Sequence, residues 1–209
     1  MIIEKICNLS PVMPVIIIDN VEDAALLAHA LYDGGLKALE VTLRTPVALQ
    51  AIHKMVKAVP DAFIGAGTIL SAEDMVAAQK AGAHFGVSPG STPQLLETAL
   101  KYQFPFLPGV ATPCEVMQAR EMGYHILKFF PAEANGGVPT LKAWTSPLVD
   151  VSFCPTGGIG LENAKDYLAL PNVICVGGSW VVPKELIQQK NWKQITQLAQ
   201  EAALLRQGY

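Results

Sequence analysis

The chain has 209 residues, of which 51% are hydrophobic and 16% are charged, and its formal net charge is −3. The apolar fraction argues against disorder, and the length suits one domain that spans residues 1–209. Acidic and basic residues are mixed along the chain without a basic run, so the sequence predicts no nucleic-acid partner.

The N-terminal region predicts neither a secretory leader nor a membrane span. It lacks a basic head, a long apolar middle and a small-residue cleavage site. The longest uncharged apolar run, residues 9–18, is too short to cross a bilayer and contains prolines. No C-x-x-C pair occurs, which favours reduced thiols in the cytoplasm for the four cysteines, Cys7, Cys114, Cys154 and Cys175.

Eight short apolar runs recur every 20 to 30 residues, and each is followed by a helical pattern. The runs are continuous rather than alternating, which is typical of parallel strands buried on both faces. They span residues 13–18, 38–43, 62–66, 84–87, 106–110, 126–130, 151–154 and 173–176.

The segments between the runs begin with helix start signals. Asn20 precedes two acidic residues of a first turn, and Ser71 is followed by Asp74 three positions on. Thr112 and Glu115 form a capping box with proline at the first helical position. Eight strand–helix units with short connections predict an α/β fold, a closed (β/α)8 TIM barrel, with a doubly wound open sheet as the alternative. A further short helix at roughly residues 2–8 is expected to plug the barrel floor.

Lys128 interrupts the sixth apolar run. Strand alternation puts it on one face with Ile126 and Phe130, and active groups of such barrels lie at the carboxyl ends of strands. A strand lysine can also rest its stem on apolar surface while its head reaches water, and this interpretation stays open. A buried amine would instead be disfavoured in its charged form, which leaves a nucleophile that attacks carbonyl groups.

Glu40 interrupts the second apolar run and shares a face with Thr42. A carboxylate inside a barrel strand must be paired or functional. Glu40 and Lys128 could form a buried ion pair that only holds two strands together. Alternatively the two groups share a proton, which the carboxylate then takes up during a reaction.

Glycine pairs follow the last two apolar runs. They lie in the segments 155–158 and 177–179, which also contain hydroxyl side chains. Loops after the seventh and eighth strands form the frequent phosphate site of (β/α)8 barrels, because glycine lets backbone N–H groups approach the anion closely. Tight turns would need the same glycines, but two pairs at these two strand ends favour phosphate.

Arg44 follows the second apolar run, where a guanidinium fork suits a substrate carboxylate, although a solvated loop arginine fits its position as well. The sequence predicts no metal and no cofactor. No ligand spacing relates the four histidines, His29, His53, His84 and His125.

Six strand-end segments together resemble the 2-keto-3-deoxy-6-phosphogluconate aldolase and 4-hydroxy-2-oxoglutarate aldolase family. The resemblance extends in order over essentially the whole chain. The segments are EVTLRT (40–45), GAGT (65–68), SPG (88–90), KFFPAE (128–133), PTGGI (155–159) and GGSW (177–180).

The resemblance implies a class I aldolase that cleaves the phosphorylated keto-deoxy sugar acid to pyruvate and glyceraldehyde 3-phosphate. Its Schiff-base lysine matches Lys128 and its acid/base matches Glu40. It also implies activity on 4-hydroxy-2-oxoglutarate, a homotrimer, and a place in carbohydrate metabolism within the Entner–Doudoroff pathway.

The resemblance further implies roles for nine substrate-binding positions. The positions that hold the pyruvyl carboxylate match Arg44 and Thr68, and the walls of the pyruvate pocket match Pro89 and Phe130. The region that receives the sugar hydroxyls and the phosphate matches five residues, Thr156, Gly157, Gly158, Gly178 and Ser179.

Two other functions stay open from the residues alone. A phosphate-binding isomerase or epimerase would use Glu40 as its base and Lys128 as an electrostatic catalyst, without an imine. A non-catalytic sugar-phosphate sensor would bind its ligand without Lys128, although two buried ionisable residues are costly in a protein that only binds. Only the aldolase predicts an imine that borohydride traps.

Overall fold

The structure, a computed structural model, describes residues 2–205. The strands are β1 (Val12–Ile16), β2 (Ala38–Thr42), β3 (Phe63–Gly67), β4 (Phe85–Val87), β5 (Phe106–Leu107), β6 (Gly109–Val110), β7 (Ile126–Phe129), β8 (Ser152–Pro155) and β9 (Val176–Gly178). The helices are α1 (Ile2–Cys7), α2 (Ala24–Asp33), α3 (Ala48–Ala58), α4 (Ala72–Lys80), α5 (Pro93–Lys101), α6 (Pro113–Glu121), α7 (Gly137–Trp144), α8 (Ala164–Leu168), α9 (Lys184–Gln188) and α10 (Trp192–Ala203). Two 3-10 turns span Val21–Asp23 and Glu133–Asn135. In this part of the chain no helix has the length and apolarity of a membrane span.

The helix starts follow the capping residues that the sequence predicts. Ser71 and Thr112 each accept a hydrogen bond from the backbone N–H three residues on, and the acidic side chain there bonds back, so both capping boxes are formed. Asn20 caps the 3-10 turn that leads into α2, and its side chain accepts from the Glu22 N–H. These caps provide acceptors for backbone N–H groups that have no hydrogen-bond partner within the first turn of a helix.

All strand pairs are parallel and fall in two sheets. One sheet has six strands in the order β5-β4-β3-β2-β1-β9, and the other has the order β6-β7-β8. Two isolated bridges connect the two sheets. One joins Phe153 of β8 to Val173, which precedes β9, and the other joins Thr156, which follows β8, to Gly177 of β9. The predicted α/β class with parallel strands is confirmed, while the closed eight-stranded ring appears here as two curled sheets.

Most predicted strands differ from the observed ones by one or two residues at an end, and two of them differ more. The run 106–110 forms two pieces, because Pro108 lies between them and has no N–H to donate to a ladder. Its first piece pairs with β4 and its second with β7. The strand predicted over residues 173–176 begins only at Val176, where pairing with Val12 of β1 starts.

The two faces of the strands belong to two separate apolar clusters. Leu127 and Phe129 of β7 pack with the outer helices, whereas Ile126 belongs to a second cluster of strand residues. Helix α1 packs against this inner cluster through Ile3, Ile6 and Cys7. The predicted N-terminal helix is therefore present, and it covers the inner face near the amino ends of the strands.

Candidate active site

Lys128 lies inside the molecule. It is the third residue of β7 and is only 4% exposed. Its backbone N–H donates to the Pro108 carbonyl at 2.9 Å, and its Nζ lies 5.2 Å from the centre of the Phe130 ring. The alternative interpretation, in which the Lys128 side chain carries its amine out to bulk water, is therefore wrong.

Glu40 meets Lys128 across the fold. Glu40 is 2% exposed in β2, and its Oε1 lies 3.3 Å from Lys128 Nζ. The carboxylate fits because Gly67 of β3 has no side chain, since a Cβ there would lie 2.1 Å from the same Oε1. The structure thus brings together the two ionisable residues that the sequence singled out.

A buried thiol lies beside this pair. Cys154 of β8 is the register partner of Lys128 in β7. A hydrogen bond with Cys175 raises the pKa of the Cys154 thiol, burial raises it further, and the nearby Lys128 opposes both effects. The thiol stays protonated, so it does not compete with the amine as a nucleophile.

A cavity of about 250 Å³ opens at the carboxyl ends of the strands. Seven predicted site residues line it: Arg44, Phe130, Thr156, Gly157, Gly158, Gly178 and Ser179. Phe130, which stands over the Lys128 amine, connects the cavity to the buried pair. Larger hollows of about 440 and 690 Å³ lie between outer helices and contain none of the predicted site residues.

We call Thr156, Gly157 and Gly158 the glycine loop. Gly157 and Gly158 have φ angles of 103° and 76°, in the left-handed region that favours glycine. The turn and the phosphate site, the two interpretations of these glycines, are thus compatible. The glycines form a turn, and they also leave backbone open to the cavity. In the neighbouring strand, a Cβ on Gly177 would lie 2.2 Å from Thr156 Oγ1, so the two segments approach closely only without that side chain.

Thr68 and Pro89 do not line the cavity. Arg44 Nε donates to Thr68 Oγ1 at 3.3 Å, so the two residues predicted to hold a carboxylate contact each other. Thr68 has a φ of 61°, a strained backbone of the kind that clusters at functional sites. Pro89 follows the buried Ser88 and lies against Gly109, where an added Cβ would come within 2.3 Å of it.

Sequence reasoning missed the apolar lining of the cavity. Val15, Ile17 and Ile159 line it together with Gly177. Aliphatic side chains carry no chemical signature, and their place follows only from the register of β1 and the path of the loop after β8. Among residues 2–205, no group of three or more His, Cys, Asp or Glu side chains is placed to hold a metal ion.

A family model for KDPG and KHG aldolase matches residues 3–198. The 2-dehydro-3-deoxy-phosphogluconate aldolase of Pseudomonas aeruginosa is 48% identical over 200 residues, which cover 96% of this chain and 91% of that protein. The chain belongs to the KDPG and KHG aldolase family. The family predicted from the strand-end segments is confirmed.

Solved structures of two members of the KDPG and KHG aldolase family have the same fold. KDPG aldolase from Legionella pneumophila, with pyruvate captured at low pH as a covalent carbinolamine intermediate, is 48% identical with a TM-score of 0.94, and the match covers 96% of this chain and 98% of that one. The 2-keto-3-deoxy-6-phosphogluconate aldolase of Zymomonas mobilis ZM4, with 3-phosphoglycerate, is also 48% identical with a TM-score of 0.93, over 98% of this chain and 96% of that one.

Proposed function

We propose that this protein is a class I aldolase that cleaves 2-dehydro-3-deoxy-6-phosphogluconate to pyruvate and glyceraldehyde 3-phosphate. Lys128 forms the Schiff base and Glu40 moves the protons. The observation that carries the proposal is the buried contact of 3.3 Å between Lys128 Nζ and Glu40 Oε1. A nucleophilic amine beside a carboxylate, both away from water, is the arrangement that imine chemistry needs.

The reaction begins when Glu40 takes a proton from the Lys128 ammonium and the freed amine adds to the C2 ketone of the substrate. Glu40 gives that proton to the ketone oxygen, takes a second proton from the nitrogen, and delivers it to the hydroxyl, which leaves as water from the carbinolamine and gives the protonated imine. The protonated imine then accepts the electron pair of the C3–C4 bond, while the C4 hydroxyl gives its proton to Glu40 through a bridging water. The aldehyde leaves, the enamine is protonated at C3, and hydrolysis releases pyruvate and restores the amine.

Both ends of the substrate need anchors so that the breaking bond stays aligned with the imine. Arg44, through its guanidinium, and Thr68, through its hydroxyl, hold the carboxylate beside the lysine. Pro89 and Phe130 wall the pyruvate portion. The glycine loop, Gly178 and Ser179 receive the sugar hydroxyls and the phosphate, in the cavity that also contains Arg44.

The covalent carbinolamine of the Legionella pneumophila relative supports the imine route, and 3-phosphoglycerate in the Zymomonas mobilis relative supports a phosphorylated substrate. The isomerase and the sensor lack comparable support. We also propose activity on unphosphorylated 4-hydroxy-2-oxoglutarate, because its reacting carbons C2 to C4 carry the same groups and only the contacts to the 5-hydroxyl and the phosphate are lost.

Borohydride trapping with pyruvate tests the proposal. The wild-type protein should gain a stable mass increment, and peptide mapping should locate it at Lys128. Lys128→Ala should lose both the increment and pyruvate release, whereas Lys101→Ala, at an exposed lysine of α5, should keep both. Ordinary turnover in a folded Lys128→Ala protein would overturn the assignment.

Lys128→Ala leaves the Glu40 carboxylate buried without its partner, a change that costs roughly 3–5 kcal/mol of stability. Trapping on the wild-type protein therefore stands as the primary measurement, since it requires no variant. A wild-type protein that releases pyruvate without any trapped adduct would favour a reaction that does not pass through an imine.

We further propose that the two sheets form one closed (β/α)8 barrel in a single domain over residues 1–209. The bridges from Phe153 and Thr156 to the β9 side support closure. We propose a homotrimer in the cytoplasm that serves the Entner–Doudoroff pathway, as the family resemblance implies. Light scattering on the purified protein should give about three times the mass of one chain.

A further inference from the structure

The loops that follow β7 and β8 are joined by backbone hydrogen bonds. The Ala132 N–H donates to the Thr156 carbonyl at 2.8 Å, and the Glu133 N–H donates to the Gly157 carbonyl at 3.1 Å. The first loop continues from the strand that contains Lys128, and the second is the glycine loop. The segment that bears the amine and the proposed phosphate site therefore contact each other directly.

The Glu133 side chain adds a second connection between the same loops. A Cβ on Gly158 would lie 2.6 Å from Glu133 Cγ, so the stem of Glu133 packs against the glycine loop. Its Oε1 accepts a hydrogen bond from the hydroxyl of Tyr167 in α8. Asn163 Nδ2, just before α8, donates to the Gly158 carbonyl at 3.1 Å. The glycine loop is thus held between Glu133 and α8.

Tyr167 gives this arrangement a rigid base. Its side chain is fully buried, and burial raises the pKa of its hydroxyl, with the bond to Glu133 raising it further. The hydroxyl remains a donor at neutral pH. The reaction steps proposed above do not use Glu133. Because Glu133 is exposed, its loss leaves no hole in the core.

We propose that Glu133, held by the Tyr167 hydroxyl, is a positioning residue that sets the place of the glycine loop relative to the Lys128 amine. This inference rests on the proposed function. Its consequence is selective, because only a substrate with a phosphate group spans the distance from the amine to the glycine loop. The pyruvate end of the site lies on Arg44, Thr68 and Lys128 and does not depend on Glu133.

Substrate pairs and trapping test the inference. In Glu133→Ala and in Tyr167→Phe, kcat/KM for 2-dehydro-3-deoxy-6-phosphogluconate should fall roughly tenfold, mainly through KM, because the phosphate anchor is displaced. Activity on 4-hydroxy-2-oxoglutarate should change less than about threefold, and the yield of pyruvate trapped on Lys128 should match the wild type. Glu133→Gln keeps an acceptor for the Tyr167 hydroxyl and should restore most of the loss.

The double variant and a matched control separate positioning from general damage. If Glu133 and Tyr167 act as one unit, Glu133→Ala combined with Tyr167→Phe should be no worse than either alone. Tyr124→Phe removes another buried hydroxyl, which donates to the Leu96 carbonyl over a distance of 2.7 Å and does not line the cavity. This control should lower stability but leave the ratio of kcat/KM between the two substrates unchanged.

Equal losses on both substrates, additive losses in the double variant, or unchanged kinetics would each overturn the inference. None of these outcomes affects the proposed function as long as the wild-type protein traps pyruvate. A wild-type protein that forms no adduct and releases no pyruvate would defeat the proposed function itself, whatever the variants do.

Discussion

Gly67→Ala should disable the enzyme, although Gly67 itself takes no part in the proposed reaction. A Cβ at this position would lie 2.1 Å from Glu40 Oε1, 2.6 Å from Cγ and 2.7 Å from Cδ. Because all three atoms are too close, a rotation of the carboxylate alone cannot relieve the contact. The Glu40 side chain must move by roughly 1 Å or more, which takes Oε1 beyond hydrogen-bond reach of Lys128 Nζ.

The size of the effect follows from what Glu40 does in the proposed reaction. General acid–base catalysis contributes roughly 10²- to 10⁴-fold, and a misplacement of about 1 Å can cost roughly 10²-fold. We therefore expect kcat to fall at least about 100-fold, with KM changed less. The backbone of Gly67 does not have a positive φ, so alanine fits its conformation, and the three nearest atoms that a Cβ would meet all belong to Glu40.

Pyruvate release can be followed continuously with lactate dehydrogenase, and borohydride trapping at short times reports how fast the imine forms. Both rates should fall in Gly67→Ala. Gly90→Ala is the matched control, because a Cβ there would meet no atom within 4 Å, and its kcat should stay within about twofold of the wild type. A folded Gly67→Ala protein whose kcat lies within about threefold of the wild type would refute the role given to Glu40.

Two further predictions concern stability. Tyr124→Phe should lower the free energy of unfolding by about 1 kcal/mol at neutral pH, because the bond to Leu96 is lost. Burial raises the pKa of Tyr124 from 10.0 to about 12, so between these values the unfolded chain releases a proton that the folded chain keeps. The difference in unfolding free energy between the wild type and Tyr124→Phe should therefore shrink as pH rises through that window. Urea unfolding of both proteins at pH 8 and pH 11 checks this, and a difference that grows with pH would contradict it. Gly65→Ala would place a Cβ 2.4 Å from the buried Phe85 ring, and the overpacking should cost roughly 1–3 kcal/mol in the same assay, whereas an unchanged urea midpoint would show that the ring has room to move.

The site was predictable where a residue broke the pattern of its surroundings. Lys128 and Glu40 stood out because a charge inside a continuous apolar run needs an explanation, and strand alternation gave the face on which each lies. Their distance depends on how β2 and β7 curl towards each other, which no local pattern contains.

Other features depend on partners that are distant in sequence. The start of β9 at Val176 follows from where β1 begins, and the contact between Glu133 and Tyr167 joins a turn after β7 to helix α8, 34 positions apart in the chain. The break at Pro108, by contrast, had a local signal, since a proline inside a buried strand argues against an unbroken ladder.

Helix α1 has a consequence for the order of events in the proposed reaction. Helix α1 packs Ile3 and Ile6 against the inner face of the strands and so covers the end of the molecule where the strands begin. Among residues 2–205, the mouth that leads towards Lys128 is then the cavity at the carboxyl ends of the strands, through which substrate enters and products leave. The aldehyde fragment lies nearer that mouth than the carbon chain bonded to the amine, so it clears the passage first, and the water that frees pyruvate follows it inward.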